Sequence, residues 1–522
     1  MTERSKEIFG NPVGEKAYRK AVRSKQNYIR KFGDDSAVSY PVHLRKNPVI
    51  GDLLGVYDVR VGGDGSVVYS DADKDPAGAA ADLVRTGADC EDVRGQGNEA
   101  GFDLQKGIIV GNIRMGFGHY RISMAIASAA HALGYTPYWM DLNSYPDTSC
   151  TKVISAQNEL YSMGSRLSQK SRLFNALIWE PLNYEGFRKL SYNASDQKNA
   201  EIMAAVFRNI PKEIPLVGTH VWPAQAALHG GMRYVVNAIP DNWPMGLHLA
   251  EGSLHTIQTQ HAYQGYRILN GMKGKEVLRP MPSESLVCTG HYIDDELVRN
   301  IEEDCAARVR RKKEGEPMRF LLTIGGAGAQ REIFAAVIRH LLPAVKKGRA
   351  VLYINVGDYR NVWDELTATV SGLKKVSEEH FNDWAGTRDF AERMMQEETE
   401  GVHAFWHENI FEAVYCTNLL MRSCDVLITK PSELAFYPVP KLFIRRIGGH
   451  EQWGAIHSAE IGDGTLECRD IPHVLQMLDM FLYDEHYLEM MCGNICANKR
   501  AGIYNGAYEA VRLAMDMKTG QE

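Results

Sequence analysis

Nothing in this chain of 522 residues approaches the run of about 20 apolar residues that a membrane span needs, so no crossing of a bilayer is expected. Its nine cysteines have no regular spacing, which argues against a disulfide framework. No cleavable apolar leader opens the sequence, and a reduced, cytoplasmic setting is the expectation. Charge of one sign is scarce as well: 59 Lys and Arg against 65 Asp and Glu leave a net −6. A dedicated nucleic-acid binder is not expected from that balance. Metal-ligand spacing is also missing. Cys492 and Cys496 stand one helical turn apart with no second Cys or His pair nearby, and His403 and His407 lie at i, i+4 with no Glu between them and no third ligand. Neither pair is assigned a metal.

What the chain has is an alternation built around one stretch, GIIVGNIRMGFGHYRISMAIASAAHALGY, from Gly107 to Tyr135. Ile108, Ile109 and Val110 read as a short buried parallel strand. A loop with Gly111, Gly116, Gly118 and His119 follows. Apolar residues at Ile122, Ala125, Ile126, Ala129, Ala130 and Leu133 then recur at helical spacing, and Gly134 closes the helix. A glycine-rich turn between strand and helix lets backbone N–H groups approach a ligand and points the positive end of the helix at it. His119 stands in the mouth of that turn, where an imidazole can do proton work or simply stabilise the turn.

Residues 1 to about 35 are basic and helix-prone. They read as a solvated surface helix, or as one lying on anionic lipid or on a partner. GVYDVRVGGDGSVVYSDAD reads as a hairpin about a Gly/Asp turn, and Asp73 to Asp103 as a linker. From Gly107, strands and helices alternate, with strands ending at Asp141, at Thr219-His220 and at Pro240-Asp241, and a connector at Gly290. The pattern restarts at Arg319 with FLLTIGGAGAQREIFAAVIRHLLPAV. The expected division is an extension over 1–106, an α/β domain over 107–290, a second over 291–470, and helices over 471–522 packing across both. Two such halves imply a cleft between the carboxyl ends of two parallel sheets, where open α/β folds bind ligands.

On these residues the chain resembles a glycosyltransferase of the two-Rossmann-domain (GT-B) type, in the group of the bacterial peptidoglycan N-acetylglucosaminyltransferase and the plant monogalactosyldiacylglycerol synthase. MGFGHYRISMAIASA (115–129) resembles the family's glycine-rich opening that faces the acceptor, and NAIPDNWPMGLHLAEG (237–252) its stretch with Asp, Trp and His. CTGHYIDDELV (288–298) is similar to the segment linking the domains, and LLTIGGAGAQREI (321–333) to the loop that cradles the donor diphosphate. SCDVLITKPSELAF (423–436) with GGHEQWGAIHSAEIGDG (448–464) resembles the donor-site signature. The likeness covers about residues 107 to 480. It departs at Thr429-Lys430-Pro431, which runs straight into Ser432-Glu433 where the family has a longer, small-residue run; a changed donor or lost activity follows from that departure.

The resemblance implies an inverting transferase that moves a sugar from a nucleoside diphosphate donor, UDP-linked, to a hydroxyl acceptor, with no cofactor and no metal. The basic amino-terminal helix leaves room for a lipid-linked acceptor and for peripheral membrane contact on the cytoplasmic face. Backbone amides of Gly325, Gly326, Ala327 and Gly328 ahead of a helix suit a departing diphosphate. His119 and Asp241 are the candidate bases; Asp241 could instead orient His119 or cap a turn. Gly116, Gly118, His220 and His248 would lie on the acceptor side. Glu433 fits a ribose clamp or a helix N-terminal acid, Glu451 and Gln452 fit sugar contacts, and Asn409 and Ile410 match the family position beside the base. The rival readings are a nucleotide-sugar 2-epimerase or hydrolase, and a binding protein that kept the cleft without turnover.

Overall fold

The computed structural model describes residues 3–63, 101–170, 178–179, 181–324 and 330–520. A small antiparallel pair, β1 (Glu7–Ile8) and β2 (Asn11–Pro12), stands apart from two large sheets. The first sheet is built from β3 (Val42–Lys46), β4 (Tyr57–Val61), β5 (Gly107–Asn112), β6 (Thr136–Asp141), β7 (Leu216–Gly218), β8 (Val235–Ala238), β9 (Leu254–Ile257) and β10 (Leu286–Cys288). Its order is β10-β9-β8-β7-β5-β6-β4-β3, parallel throughout except where β3 pairs antiparallel with β4. The second sheet contains β11 (Met318–Thr323), β12 (Ala350–Asn355), β13 (Ser377–Phe381), β14 (Gly401–Trp406), β15 (Val426–Thr429) and β16 (Lys441–Phe443). Its order is β13-β14-β12-β11-β15-β16, all parallel. These are two Rossmann-like α/β units, the fold class expected. Burial explains the pattern: every residue of β5, β11 and β12 is buried, as parallel strands covered by helices on both faces must be.

The first hundred residues contribute to the first sheet. Tyr57–Val61 was expected to open a hairpin with the residues after it. Instead it pairs with the preceding strand, Leu44 opposite Val59, and then joins β6 in parallel. The second strand of that hairpin and most of the linker fall among residues 64–100, outside the described residues. The basic helix Glu15–Phe32 buries Ala21, packs Tyr28, Ile29 and Phe32 against the first sheet's core and pairs Lys25 with Glu201 at 2.6 Å.

The C-terminal helices divide between the halves. Ile471–Tyr483 and Tyr487–Arg500 bury Val474, Leu478, Leu488 and Ile495 in the second core, while Gly506–Thr519 places Ala507, Ala510, Val511 and Ala514 against the helix Phe117–Ala132 of the first. The two chain crossings between halves therefore run side by side. His291 N–H donates to the Ile503 carbonyl, and Gly506 N–H donates to the His291 carbonyl at 2.9 Å. Contact there is so close that a Cβ on Gly506 would stand 2.1 Å from the Gly290 carbonyl oxygen. Only glycine fits.

Candidate functional site

A cavity of about 490 Å³ opens between the halves, walled by the turn after β5, the ends of β11, β12 and β15, and the loops at 240–248 and 447–454. This volume suits a small organic ligand. From the first half the turn Gly116–His119 enters the wall; Gly116 takes φ +79° ahead of the helix Phe117–Ala132. Gly118 lets the other half come close, since a Cβ there would meet Glu433 Oε2 at 3.1 Å. Phe117 reaches across as well. It leans on Gly357, at φ +62°, where a Cβ would stand 2.5 Å from its ring, and it faces Tyr359 at 6.1 Å.

His119 Nδ1 lies 2.8 Å from the Thr219 carbonyl. A carbonyl can only accept, so Nδ1 carries the proton and Nε2 keeps the lone pair. Burial lowers this imidazole below its ordinary value, opposed in part by the Thr219 hydrogen bond and the field of Asp241. The ring is therefore neutral at pH 7, the form a general base requires. His220 stands edge-on to His119 at 4.8 Å. Its Nδ1 accepts from Trp222 N–H at 3.1 Å, capping the helix Val221–His229, and burial drives its titration far down.

Asp241 lines the cavity and is 3.2 Å from His248 Nε2. His248 Nδ1 in turn meets the Tyr266 hydroxyl at 2.6 Å. Burial alone would raise the Asp241 carboxyl. The hydrogen bond from His248 and the fields of His450 and His119 outweigh it and hold the group well below the usual carboxylate range. Asp241 is thus an ionised carboxylate whose direct imidazole partner is His248.

Opposite, Glu433 starts the short turn Glu433–Phe436 behind Ser432, with Oε1 3.5 Å from the buried Arg121 Nε. Arg121 is anchored across the halves by the Val414 carbonyl at 3.2 Å and by Asn418. Glu451 lines the cavity with both oxygens engaged. Lys430 binds Oε1, and the Ile447 and Gly448 amides donate to Oε2 at 2.8 and 3.3 Å. Burial would raise this carboxyl too, but the Lys430 ammonium, which also hydrogen-bonds it, holds it low.

Other expected residues fall elsewhere. Gln452 opens the helix Gln452–Glu460 and is not part of the cavity wall. Asn409 caps the helix Ile410–Ser423 by accepting from Phe411 N–H, and Ile410 packs in the core with Phe411 and Tyr120; neither reaches the cavity. Gly325, Gly326, Ala327 and Gly328 lie outside the described residues. Thr323 and Ile324, just before them, line the cavity, and the helix Arg331–Val345 begins just beyond.

Three features escaped the sequence reading. Lys430 and Arg121 hold the two acids of the second half. A third is an aromatic stack that joins the halves: Trp453 lies 5.1 Å from Trp243 at 7° and 4.5 Å from His261 at 10°, with Asn242 Nδ2 donating to the Trp453 carbonyl at 3.0 Å. Both tryptophans sit inside motifs noted above, but no local pattern says that two rings 210 residues apart will stack.

Residues 7–268 match a family described as "Domain of unknown function (DUF6937)", and residues 281–515 match "Domain of unknown function (DUF6938)". No curated protein matches the chain. Among solved structures, a UDP-GlcNAc 2-epimerase from Neisseria meningitidis bound to UDP-GlcNAc is similar over 78% of this chain and 98% of its own, with 12% identity and a TM-score of 0.43. An α,α-trehalose 6-phosphate synthase from Burkholderia multivorans is similar over 80% and 99%, with 12% identity and a TM-score of 0.43. The glycosyltransferase VinC in complex with dTDP covers 78% and 99%, with 12% identity and a TM-score of 0.37. At these scores the likenesses carry no functional argument. The cavity has to supply it.

Proposed function

The chain belongs to the family described as Domain of unknown function (DUF6937), and from the chemistry of its cavity we propose that it is a glycosyltransferase moving a sugar from a nucleoside diphosphate donor, UDP-linked, to a hydroxyl acceptor with inversion. One observation carries the reading: a neutral imidazole with a free lone pair, His119, faces an acid of the other half, Glu433, across one cavity. The acceptor O–H gives its proton to His119 Nε2 as its oxygen bonds to the anomeric carbon. The bond to the donor diphosphate breaks, and its electron pair leaves on the phosphate oxygen. Amides of Gly325–Gly328 and the start of the helix Arg331–Val345 take up that charge, as helix N-termini do for phosphates. Glu433, positioned by Arg121, accepts from the ribose hydroxyls, and the Asp241–His248 pair orients the acceptor beside His119.

A lipid-linked acceptor is favoured by a second observation. Leu160, Met163 and Leu167 recur at helical spacing on the helix Ser149–Lys170 and are exposed, as are Ile178 and Leu182. Gln157 and Asn158 of the same helix line the cavity, with Trp179 close by. Exposed apolar side chains on a helix that also lines the cavity suit an alkyl chain.

Nucleotide release from a panel of UDP-sugars, measured with and without soluble and vesicle-borne hydroxyl acceptors, tests the proposal. Release that depends on an acceptor supports transfer. Equal release without any acceptor points to a hydrolase, interconversion of the free UDP-sugar to an epimerase, and nucleotide binding with no turnover to a binding protein.

A further inference from the structure

We propose that Glu378, His380 and His403 form a binding site for a divalent transition-metal ion of the zinc class on the outer edge of the second sheet, apart from the cavity. β13 is the edge strand there, and it pairs with β14 so that Glu378 stands opposite His403 and His380 opposite Phe405. Side chains two apart on a strand, and those directly opposite on its neighbour, share one face. Glu378, His380 and His403 are therefore brought together by register alone. None of the three lines the cavity.

Their ligand atoms form a tight triangle. His380 Nε2 and His403 Nδ1 are 3.1 Å apart. Glu378 Oε1 lies 3.8 Å from His380 Nε2, and Glu378 Oε2 lies 3.6 Å from His403 Nδ1. One carboxylate oxygen and the two ring nitrogens all lie within 4.8 Å of one another, close enough for small side-chain rotations to set all three about 2 Å from one ion, the length of Zn–N and Zn–O bonds. Two imidazoles and a carboxylate are the donor set that borderline divalent metals take, with a fourth position left for water.

The surroundings hold the rings as a metal site requires. Thr399 Oγ1 sits 2.9 Å from His403 Nε2, an outer partner that fixes which nitrogen faces inward. The Phe390 ring packs on both imidazoles, at 4.5 and 4.9 Å, and Phe405 stacks on His380 at 4.7 Å and 11°. The Glu378 side chain is 68% exposed, so an ion can enter from solvent. A bound ion would tie the edge strand to its neighbour. The i, i+4 pair noted in the sequence is not this site: His407 turns to the Thr387 hydroxyl at 3.1 Å.

The full chain, stripped with chelator and dialysed, is titrated with Co²⁺ followed by visible absorption and with Zn²⁺ by calorimetry. One ion per chain is expected, with Co²⁺ bands of low-coordinate intensity that Zn²⁺ abolishes. Glu378→Gln, whose side chain is exposed, and His380→Gln each lower affinity at least tenfold while circular dichroism stays unchanged, and Thr399→Val lowers it by about 10–100-fold. Absence of binding to 1 mM Co²⁺, or variants that bind like the parent chain, overturns the assignment and leaves a hydrogen-bonded imidazole pair beside a surface carboxylate.

Discussion

Replacing His119 with Asn separates its two nitrogens. The Asn amide sits where Nδ1 does and can still donate to the Thr219 carbonyl, 2.8 Å away in the parent chain, whereas nothing replaces Nε2. Losing that hydrogen bond outright would cost about 1 kcal/mol of stability. Losing a positioned base costs about 10²–10⁴-fold in rate, roughly 2.7–5.4 kcal/mol of transition-state free energy. Catalysis should therefore fall far more than stability, and donor affinity should hold, since the proposed donor contacts lie on the other half. The pH profile supplies a second readout. Burial lowers the His119 titration below the ordinary imidazole value, so the base is already deprotonated at pH 7. The acid limb of kcat/KM should lie below pH 6.5, with activity lost as the ring takes a proton, and the variant should lack that limb. Steady-state kinetics from pH 4.5 to 8 on the parent and His119→Asn, with thermal unfolding of both, make the comparison. Turnover within threefold of the parent, or an acid limb unchanged in the variant, would refute the role.

Gly506→Ala puts a methyl 2.1 Å from the Gly290 carbonyl oxygen and 2.7 Å from that of His291. Both are backbone atoms, so overpacking should cost at least about 1–3 kcal/mol; a chemical-denaturation midpoint equal to the parent's would mean the two crossings are not in contact. His255 is fully buried, and burial pushes its titration down to about 4, against opposing hydrogen bonds from its neighbours. Above pH 6.5 it is neutral folded and unfolded and contributes nothing to pH dependence. As pH falls from 6.5 toward 4 the unfolded chain takes the proton first, and stability drops by about 1.4 kcal/mol per unit for this group. The parent should lose about 1.6 kcal/mol more than His255→Gln between pH 6.5 and 5; identical slopes in urea unfolding would contradict that.

The sheet strands with continuous apolar runs, Gly107–Asn112 and Met318–Thr323 among them, were legible because complete burial leaves no other reading. Val42–Lys46 was not: VHLRK alternates apolar and polar residues, but over a single short edge strand with no turn signal to bound it. Its pairing with Tyr57–Val61 was missed too, because the Gly/Asp turn drew attention to the residues that follow, which lie outside the described residues. At the cavity, residues anchored by local chemistry were found: a glycine-rich turn announces His119, and strand ends announce His220 and Asp241. The partners that give them their states were not. That Asp241 pairs with His248, that Arg121 reaches Glu433, and that Lys430 occupies Glu451 are facts of the folded geometry that spacing does not encode. Asn409, placed by motif beside a ligand, caps the helix Ile410–Ser423 by accepting from Phe411 N–H, a role Asn commonly fills.

The central claim is that the cavity between the halves holds a nucleoside diphosphate, and a thermal-shift titration with UDP, GDP, TDP and ADP tests it most directly. A ligand that binds only the folded chain adds about 2.7 kcal/mol at a hundredfold excess over its Kd. UDP should raise the melting temperature of the parent in a concentration-dependent way, and Glu433→Gln should reduce that shift. No shift with any of the four at millimolar concentration would contradict the account, and a shift with another nucleotide but not UDP would remove the uridine assignment.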